Sequence, residues 1–329
     1  MVGLRYDLRH VVGTADVAAM YRTCIEQCTW GDNNGVDYVV LSEHHGAPDG
    51  FLPAPLTVAA AIAGSTSRIG VTVAALLLPL HDPVRVAEEM VALDLLSRGR
   101  VSLVVGAGYR PEEFAMADVE RSARGRLVEE YVGVLRSAWT GQPFEWRGRT
   151  IHVTPAPFST PHPPMMLGGS SLAAARRAGR LGLGFFPAIA DPELAEAYTE
   201  AAIAASHEPG FVAMPSGPGF VHVTDDPERD WARLAPYVIH DATEYAAWQT
   251  PDVRSGVHVA ASDLDGIKAS GVYRVVTPDE CVQLADELGP FASILLHPLL
   301  AGMPIEMGWS SLELFASAVA PRLAAAAAS

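Results

Sequence analysis

Cysteine is scarce in this chain: three residues, Cys24, Cys28 and Cys281, among 329. An odd count with no paired spacing excludes a disulfide framework and points to a reducing, cytoplasmic compartment. Cys24 and Cys28 stand four apart in a helical pattern and read as a short buried stripe rather than a metal pair. Positive charge is scarce too. Lys and Arg total 23 against 38 Asp and Glu, a formal net charge of −15, and no basic run occurs. That excludes the phosphate-neutralising surface of a nucleic-acid binder. No uncharged apolar stretch approaches the ~18 residues of a membrane span. No basic segment followed by an apolar one opens the chain, so no signal peptide is expected. A Gly-x-x-x-x-Gly-Lys loop and a dinucleotide fingerprint are both missing, because Gly106-Ala107-Gly108 runs on into Tyr109-Arg110-Pro111.

What the chain does hold is material for a large core, with 49% hydrophobic and 19% charged residues. Its pattern alternates. Leu4 to Leu8, Tyr38 to Ser42, Arg68 to Leu78 and Val101 to Val105 read as strands, and the latter two are continuous apolar runs expected of parallel strands covered on both faces. Between them lie helical stretches, Ala15 to Asn34, Pro55 to Thr66 and Pro83 to Leu96, followed by Glu120 to Thr140. A hairpin at Phe144 to Val153 and a proline-rich loop at Pro155 to Pro164 interrupt the rhythm. It resumes with strands at Pro164 to Leu167, Gly184 to Ile189, Gly219 to Val223 and Phe291 to Leu296. The later helices are a run through Arg180, Pro192 to Ser206, Asp226 to Thr250, one capped by Thr277, and Ser311 to Leu323. Pro251 to Gly271 reads as a polar lid or connection. About eight strand–helix units without a linker predict a single (β/α)8 TIM-type barrel with insertions over residues 1–323, and residues 324–329 as a frayed alanine tail.

Barrels and doubly wound sheets carry their chemistry at the C-terminal ends of strands. The second strand ends there in Ser42-Glu43-His44-His45, a polar cluster that core packing does not require. A metal reading would recruit His81, Asp82 or His297. Adjacent residues on a strand face opposite ways, however, so His44 and His45 are not expected to share an ion, and no metal is expected. A rim histidine suits general acid–base work instead. His45 reads as structural. Gly168-Gly169-Ser170-Ser171 stands between a strand and a helix, where free N–H groups and two hydroxyls can hold a phosphate or simply cap the helix.

These residues resemble the bacterial luciferase-like flavin-dependent monooxygenases. The resemblance is an ordered set: Gly35-Val36-Asp37-Tyr38 through Ser42-Glu43-His44-His45, then Thr66-Ser67-Arg68-Ile69-Gly70, then Leu78-Pro79-Leu80-His81-Asp82-Pro83-Val84-Arg85. Ala87-Glu88-Glu89, Leu93 through Arg100, Val105-Gly106-Ala107-Gly108 and Leu167 through Ser171 follow in family order, with a faint return at Val276 to Glu280. The resemblance implies a barrel enzyme, usually a homodimer, that takes reduced FMN from a separate NAD(P)H:flavin reductase. With O2 it would oxygenate a small organic substrate through a flavin peroxide.

His44 matches the family's acid–base histidine, which Glu43 is expected to orient. Ala74 and Ala75 match the place of a non-prolyl cis peptide under the flavin ring, with Ser42, Gly106 and Gly108 shaping the same pocket. Ser170, with Gly168, Gly169 and Ser171, matches the phosphate turn, and Arg126 (or Arg124) resembles an arginine that reaches it. Tyr109, Tyr245 and Trp248 are candidates for substrate contact. Luciferases carry a cysteine and an arginine where this chain has Gly106-Ala107, which argues against light emission and calls for another phosphate contact. Two other readings stay open: a deazaflavin-dependent oxidoreductase without oxygen chemistry, and a flavin-binding protein without turnover.

Overall fold

The computed structural model describes residues 1–13, 15–249, 253–289 and 293–327. Strand and helix alternate from the start: β1 (Val2–Tyr6), α1 (Val17–Gly31), β2 (Tyr38–Leu41), α2 (Pro55–Ser65), β3 (Gly70–Leu77), α3 (Pro83–Ser97) and β4 (Val101–Gly106). Two helices follow, α4 (Pro111–Met116) and α5 (Arg124–Ala138), then a hairpin of β5 (Phe144–Trp146) and β6 (Arg149–Ile151). The alternation resumes with β7 (Met165–Gly169), α6 (Leu172–Arg180), β8 (Gly184–Pro187), α7 (Pro192–Ala204), β9 (Phe220–Val223) and α8 (Pro227–Ala247). The last part holds α9 (Leu264–Ser270), β10 (Tyr273–Val276), α10 (Pro278–Leu288), β11 (Ile294–Leu296), α11 (Ile305–Leu314) and α12 (Ala320–Ala327).

Among the described residues the main sheet has nine strands in the order β10-β9-β11-β1-β2-β3-β4-β7-β8, parallel throughout. β8 carries one further parallel bridge, from Phe185 to Val212. Every residue of β1 is buried, as a strand covered on both faces requires. The architecture is the expected TIM-type (β/α) barrel with insertions, and it aims the strand C-termini at one rim.

The helix boundaries follow local chemistry. α3 opens on Pro83, with Asp82 accepting from the Val84 and Arg85 amides, and it stops where Arg98 (φ 55°) and Gly99 (φ 82°) turn left-handed. α10 carries the capping box expected at Thr277, with Glu280 as its partner. Cys24 and Cys28 lie in the buried stripe of α1, and the three thiols are free and buried.

Several expectations are corrected. β10 falls in a stretch not read as a strand, and the chain crosses over so that β9, not β10, lies beside β11. The segment read as a lid or connection also holds a helix that was not expected there, α9, and its Gly256 amide donates to the Ala188 carbonyl; Pro251 and Asp252 of that reading lie outside the described residues, as do Thr250, Phe291 and Ala292. α4 was missed because a six-residue helix is too short to show periodicity. The helix read from Ser311 begins at Ile305 as α11, six residues before the predicted start, and the alanine tail is helical through Ala327, the end of α12, with Ala328 and Ser329 outside the described residues.

Candidate active site

Just past β2 the polar cluster divides in two by its hydrogen-bond partners. His44 points to one side. Its Nδ1 lies 2.8 Å from Glu113 Oε1 on α4, and because an ionised carboxylate only accepts, Nδ1 carries the proton. In the neutral imidazole Nε2 is then left as an acceptor, 3.4 Å from the Tyr109 hydroxyl. Rings enclose the imidazole: Phe51 at 4.8 Å, Trp248 at 4.9 Å and Tyr109 at 5.5 Å between centroids. The same Glu113 oxygen accepts from the His45 amide at 2.9 Å and from Arg110 Nη1 at 3.3 Å. Burial pushes the Glu113 carboxyl up, but the His44 hydrogen bond and the neighbouring donors outweigh it and hold the group below its ordinary range. Burial, with Glu113 nearby, raises the Tyr109 hydroxyl.

Glu43 and His45 point the other way. The Glu43 carboxylate is buried and accepts from His45 Nε2 at 2.9 Å, from His81 Nε2 at 2.7 Å and from the Leu77 amide at the end of β3. Burial alone would raise this carboxyl, yet those donors bring it down to about 2. The expectation that Glu43 orients His44 is therefore corrected. Glu43 pairs with His45, and the partner of His44 comes from α4, 69 positions away. The ligand atoms of Glu43, His45 and His81 lie within 4.8 Å of one another; here they form a carboxylate between two imidazole donors. Asp82 caps α3 instead, and His297 sits by Asp7 at 3.5 Å.

The peptide bond between Ala74 and Ala75 is cis, at the place where the resemblance puts one, and the β3–β4 register shifts there. Gly106, which pairs with Leu77 on β3, packs close by: a Cβ on it would come within 2.9 Å of the Ala75 Cβ. Small residues thus keep this wall flat, which fits a planar ring. Gly108 turns at φ 72° against Phe114, and Ser42 is half-buried, its amide donating to the Tyr6 carbonyl at 3.4 Å.

β7 ends at Gly169, and Ser171 caps α6 by accepting from the Ala174 amide. The Ser170 hydroxyl accepts from the Arg254 amide at 3.1 Å, while Arg254 Nη2 donates to the Ser170 carbonyl at 3.3 Å and Nη1 pairs with Asp191 at 3.1 Å. A hydroxyl, a guanidinium and a helix N-terminus make a donor set that fits a phosphate. Sequence reading missed Arg254, because its segment gave no family pattern.

Arg126 is not brought to this turn. Its exposed guanidinium pairs with Glu130 at 3.2 Å, the carboxylate that also holds Arg147 of the hairpin, whereas it is Glu129 that faces α6 through Arg177 and Arg180. Tyr245 is buried, its hydroxyl accepting from Arg5 at 2.6 Å, so it packs behind the site. Trp248 and Tyr109 do line it.

Comparison with known proteins agrees with this geometry. The pattern of the luciferase-like monooxygenases matches residues 8–284, and the chain belongs to that family. It is 28% identical to limonene 1,2-monooxygenase of Rhodococcus erythropolis over 301 residues, 85% of this chain and 76% of that protein. It spans about half the length or less of most of the other curated relatives it matches. Among solved structures, the monooxygenase RslO1 of Streptomyces bottropensis has a TM-score of 0.75 at 24% identity, covering 98% of this chain and 100% of that one. The oxygenating constituent of 3,6-diketocamphane monooxygenase of Pseudomonas putida, in complex with FMN, scores 0.72 at 22% identity, covering 98% of each. An F420-dependent secondary alcohol dehydrogenase scores 0.67 at 18% identity, covering 97% of this chain and 98% of that one.

Proposed function

We propose that this protein is a flavin-dependent monooxygenase that binds reduced FMN along the C-terminal ends of β3, β4 and β7 and uses O2 to oxygenate a small organic substrate. The observation that carries the reading is the shared rim: His44, held by Glu113, follows β2, the neighbouring strand β3 carries the cis Ala74–Ala75 peptide, and the serine turn follows β7 in the same parallel sheet. Gly168, Gly169, Ser170, Ser171 and Arg254 would hold the phosphate, and Ala74, Ala75, Gly106 and Gly108, with Ser42 at the end of β2, would wall the ring. Reduced FMN, when bound, supplies the electron pair that activates oxygen. His44 Nε2 takes or returns a proton at the reacting centre, while Glu113 keeps Nδ1 protonated and the ring fixed. The rings of Phe51, Tyr109 and Trp248 keep water from the imidazole.

A separate NAD(P)H:flavin reductase would deliver the cofactor, and the active form would be a homodimer. The three free thiols suit a cytoplasmic setting. Similarity to an F420-dependent dehydrogenase supports a second reading, hydride transfer with a deazaflavin. Anaerobic titration with reduced FMN and with reduced deazaflavin, followed by rapid mixing with oxygen, separates the two. Tight binding of reduced FMN and oxidation at a rate unlike that of free flavin are expected. Binding of the deazaflavin alone would replace the monooxygenase reading.

A further inference from the structure

Behind His44, on the β1–β2 side of the rim, the interior holds a cation with an unused donor. The Arg9 side chain is fully buried; its Nε donates to Asp49 at 2.7 Å and its Nη1 to Asp241 at 3.1 Å. Arg9 Nη2 has no partner among the described residues, an arrangement that costs free energy until something accepts from it. The Arg9 guanidinium carbon lies 4.8 Å from the centroid of the Trp248 ring, and that of Arg110 lies over the same ring at 4.2 Å. Trp248 in turn meets the His44 ring at 4.9 Å. A half-buried indole at the C-cap of α8 thus stands between the proposed acid–base residue and two guanidiniums. The flavin walls assigned above come from β3, β4 and β7, with Ser42 at the end of β2, and do not include Trp248 or Arg9.

We propose that the space held by the Trp248 indole is the substrate subsite, that its ligand is a flat aromatic ring bearing an anionic oxygen, and that Arg9 Nη2 binds that oxygen. The inference rests on the monooxygenase reading for its use, not for its geometry. An indole filling the slot shows that a flat ring fits there. Guanidiniums over a ring favour a π-face, and a buried guanidinium with a free N–H favours a carboxylate or phenolate. Trp248 would leave as the ligand enters, which brings the ring against His44.

The test is calorimetric titration of the flavin-free full-length chain with 2-naphthoate, its neutral analogue 2-naphthalenemethanol, and cyclohexanecarboxylate, which is charged but not flat. Trp248→Ala should bind 2-naphthoate at least about tenfold more tightly than the unmodified protein, and should prefer it by about tenfold over each analogue. Arg9→Gln in the Trp248→Ala background should erase the preference for the acid over the alcohol. If that variant fails to fold, Arg9→Lys keeps the charge facing Asp49 and Asp241, lacks the Nη2 donor, and should shrink the same preference. Equal binding of 2-naphthoate by the Trp248→Ala and unmodified proteins, or equal binding of acid and alcohol with Arg9 intact, would overturn the proposal. Competition between 2-naphthoate and reduced FMN would overturn it as well, by placing the probe in the flavin site. Were neither flavin nor deazaflavin to bind while the probe pattern held, the monooxygenase reading would fail and the subsite would stand.

Discussion

His44 and Glu43 are neighbours in sequence that serve different ends. His44 is backed by Glu113 and faces the pocket, so His44→Asn should lower turnover of an accepted substrate by about 10²–10⁴-fold, with reduced-FMN binding retained in a fluorescence titration. Glu113→Gln leaves the imidazole in place but weakens its hold on the Nδ1 proton; a shifted pH–rate profile is expected rather than a simple loss. Glu43 answers to stability. Its carboxyl stands at about 2, so its contribution is present above the ordinary carboxylate range and drains away as the pH falls toward that value. His45 is shifted upward, chiefly by its hydrogen bond to Glu43, so its contribution is complete below the ordinary histidine range and is lost as the pH rises through the folded value. Glu43→Gln should therefore cost about 2–4 kcal/mol near neutrality. Denaturant unfolding at stepped pH should show the variant and the unmodified protein converging toward acid.

Among the elements, the junction of α1, α2 and β3 shows two family motifs acting as scaffold. Asp32, at the end of α1, accepts from the amides of Ser67, Arg68 and Ile69 and from the Ser67 hydroxyl. These bonds, opposed by its own burial, bring it down to about 2. Arg100 caps the other side, donating to the carbonyls of Ala63, Thr66, Ile69 and Ser97 and to the Thr66 hydroxyl. A planar fork with five donors does this; an ammonium cannot. Arg100→Lys should cost about 2–3 kcal/mol of unfolding free energy, measured by denaturant titration. It should leave the affinity for reduced FMN unchanged, because the junction lies at the opposite end of β3 from the cis peptide.

At the scale of the whole molecule, the parallel sheet places loops from distant parts of the chain along one rim, and ligand binding should stabilise the fold through that rim. Reduced FMN at about 100 times its dissociation constant should add about 2.7 kcal/mol, seen as a rise in anaerobic melting temperature, while riboflavin, which lacks the phosphate, should give much less. Arg254→Ala should reduce the gap between the two ligands. The segment carrying Arg254 reaches the serine turn from beyond α8, so this comparison reads a contact between parts of the chain 84 positions apart.

By itself the sequence determined the alternation of strand and helix, the barrel class, the family, and the residues at the ends of β2, β3, β4 and β7. Hydrophobic period, caps and turn residues are local properties, and Asp82, Thr277 and Ser171 act where they stand. Tertiary structure alone decided the partnerships. That His44 leans on Glu113, that Glu43 serves His45 and His81, that Arg126 faces the hairpin while Arg254 reaches Ser170, and that Trp248 sits over Arg9 and Arg110 all depend on which loops the sheet brings together. Strand periodicity says which residues share a face. It does not say what the opposite wall contains, because the order of strands and the path of the crossover helices fix that, and neither is written in a window of neighbouring residues.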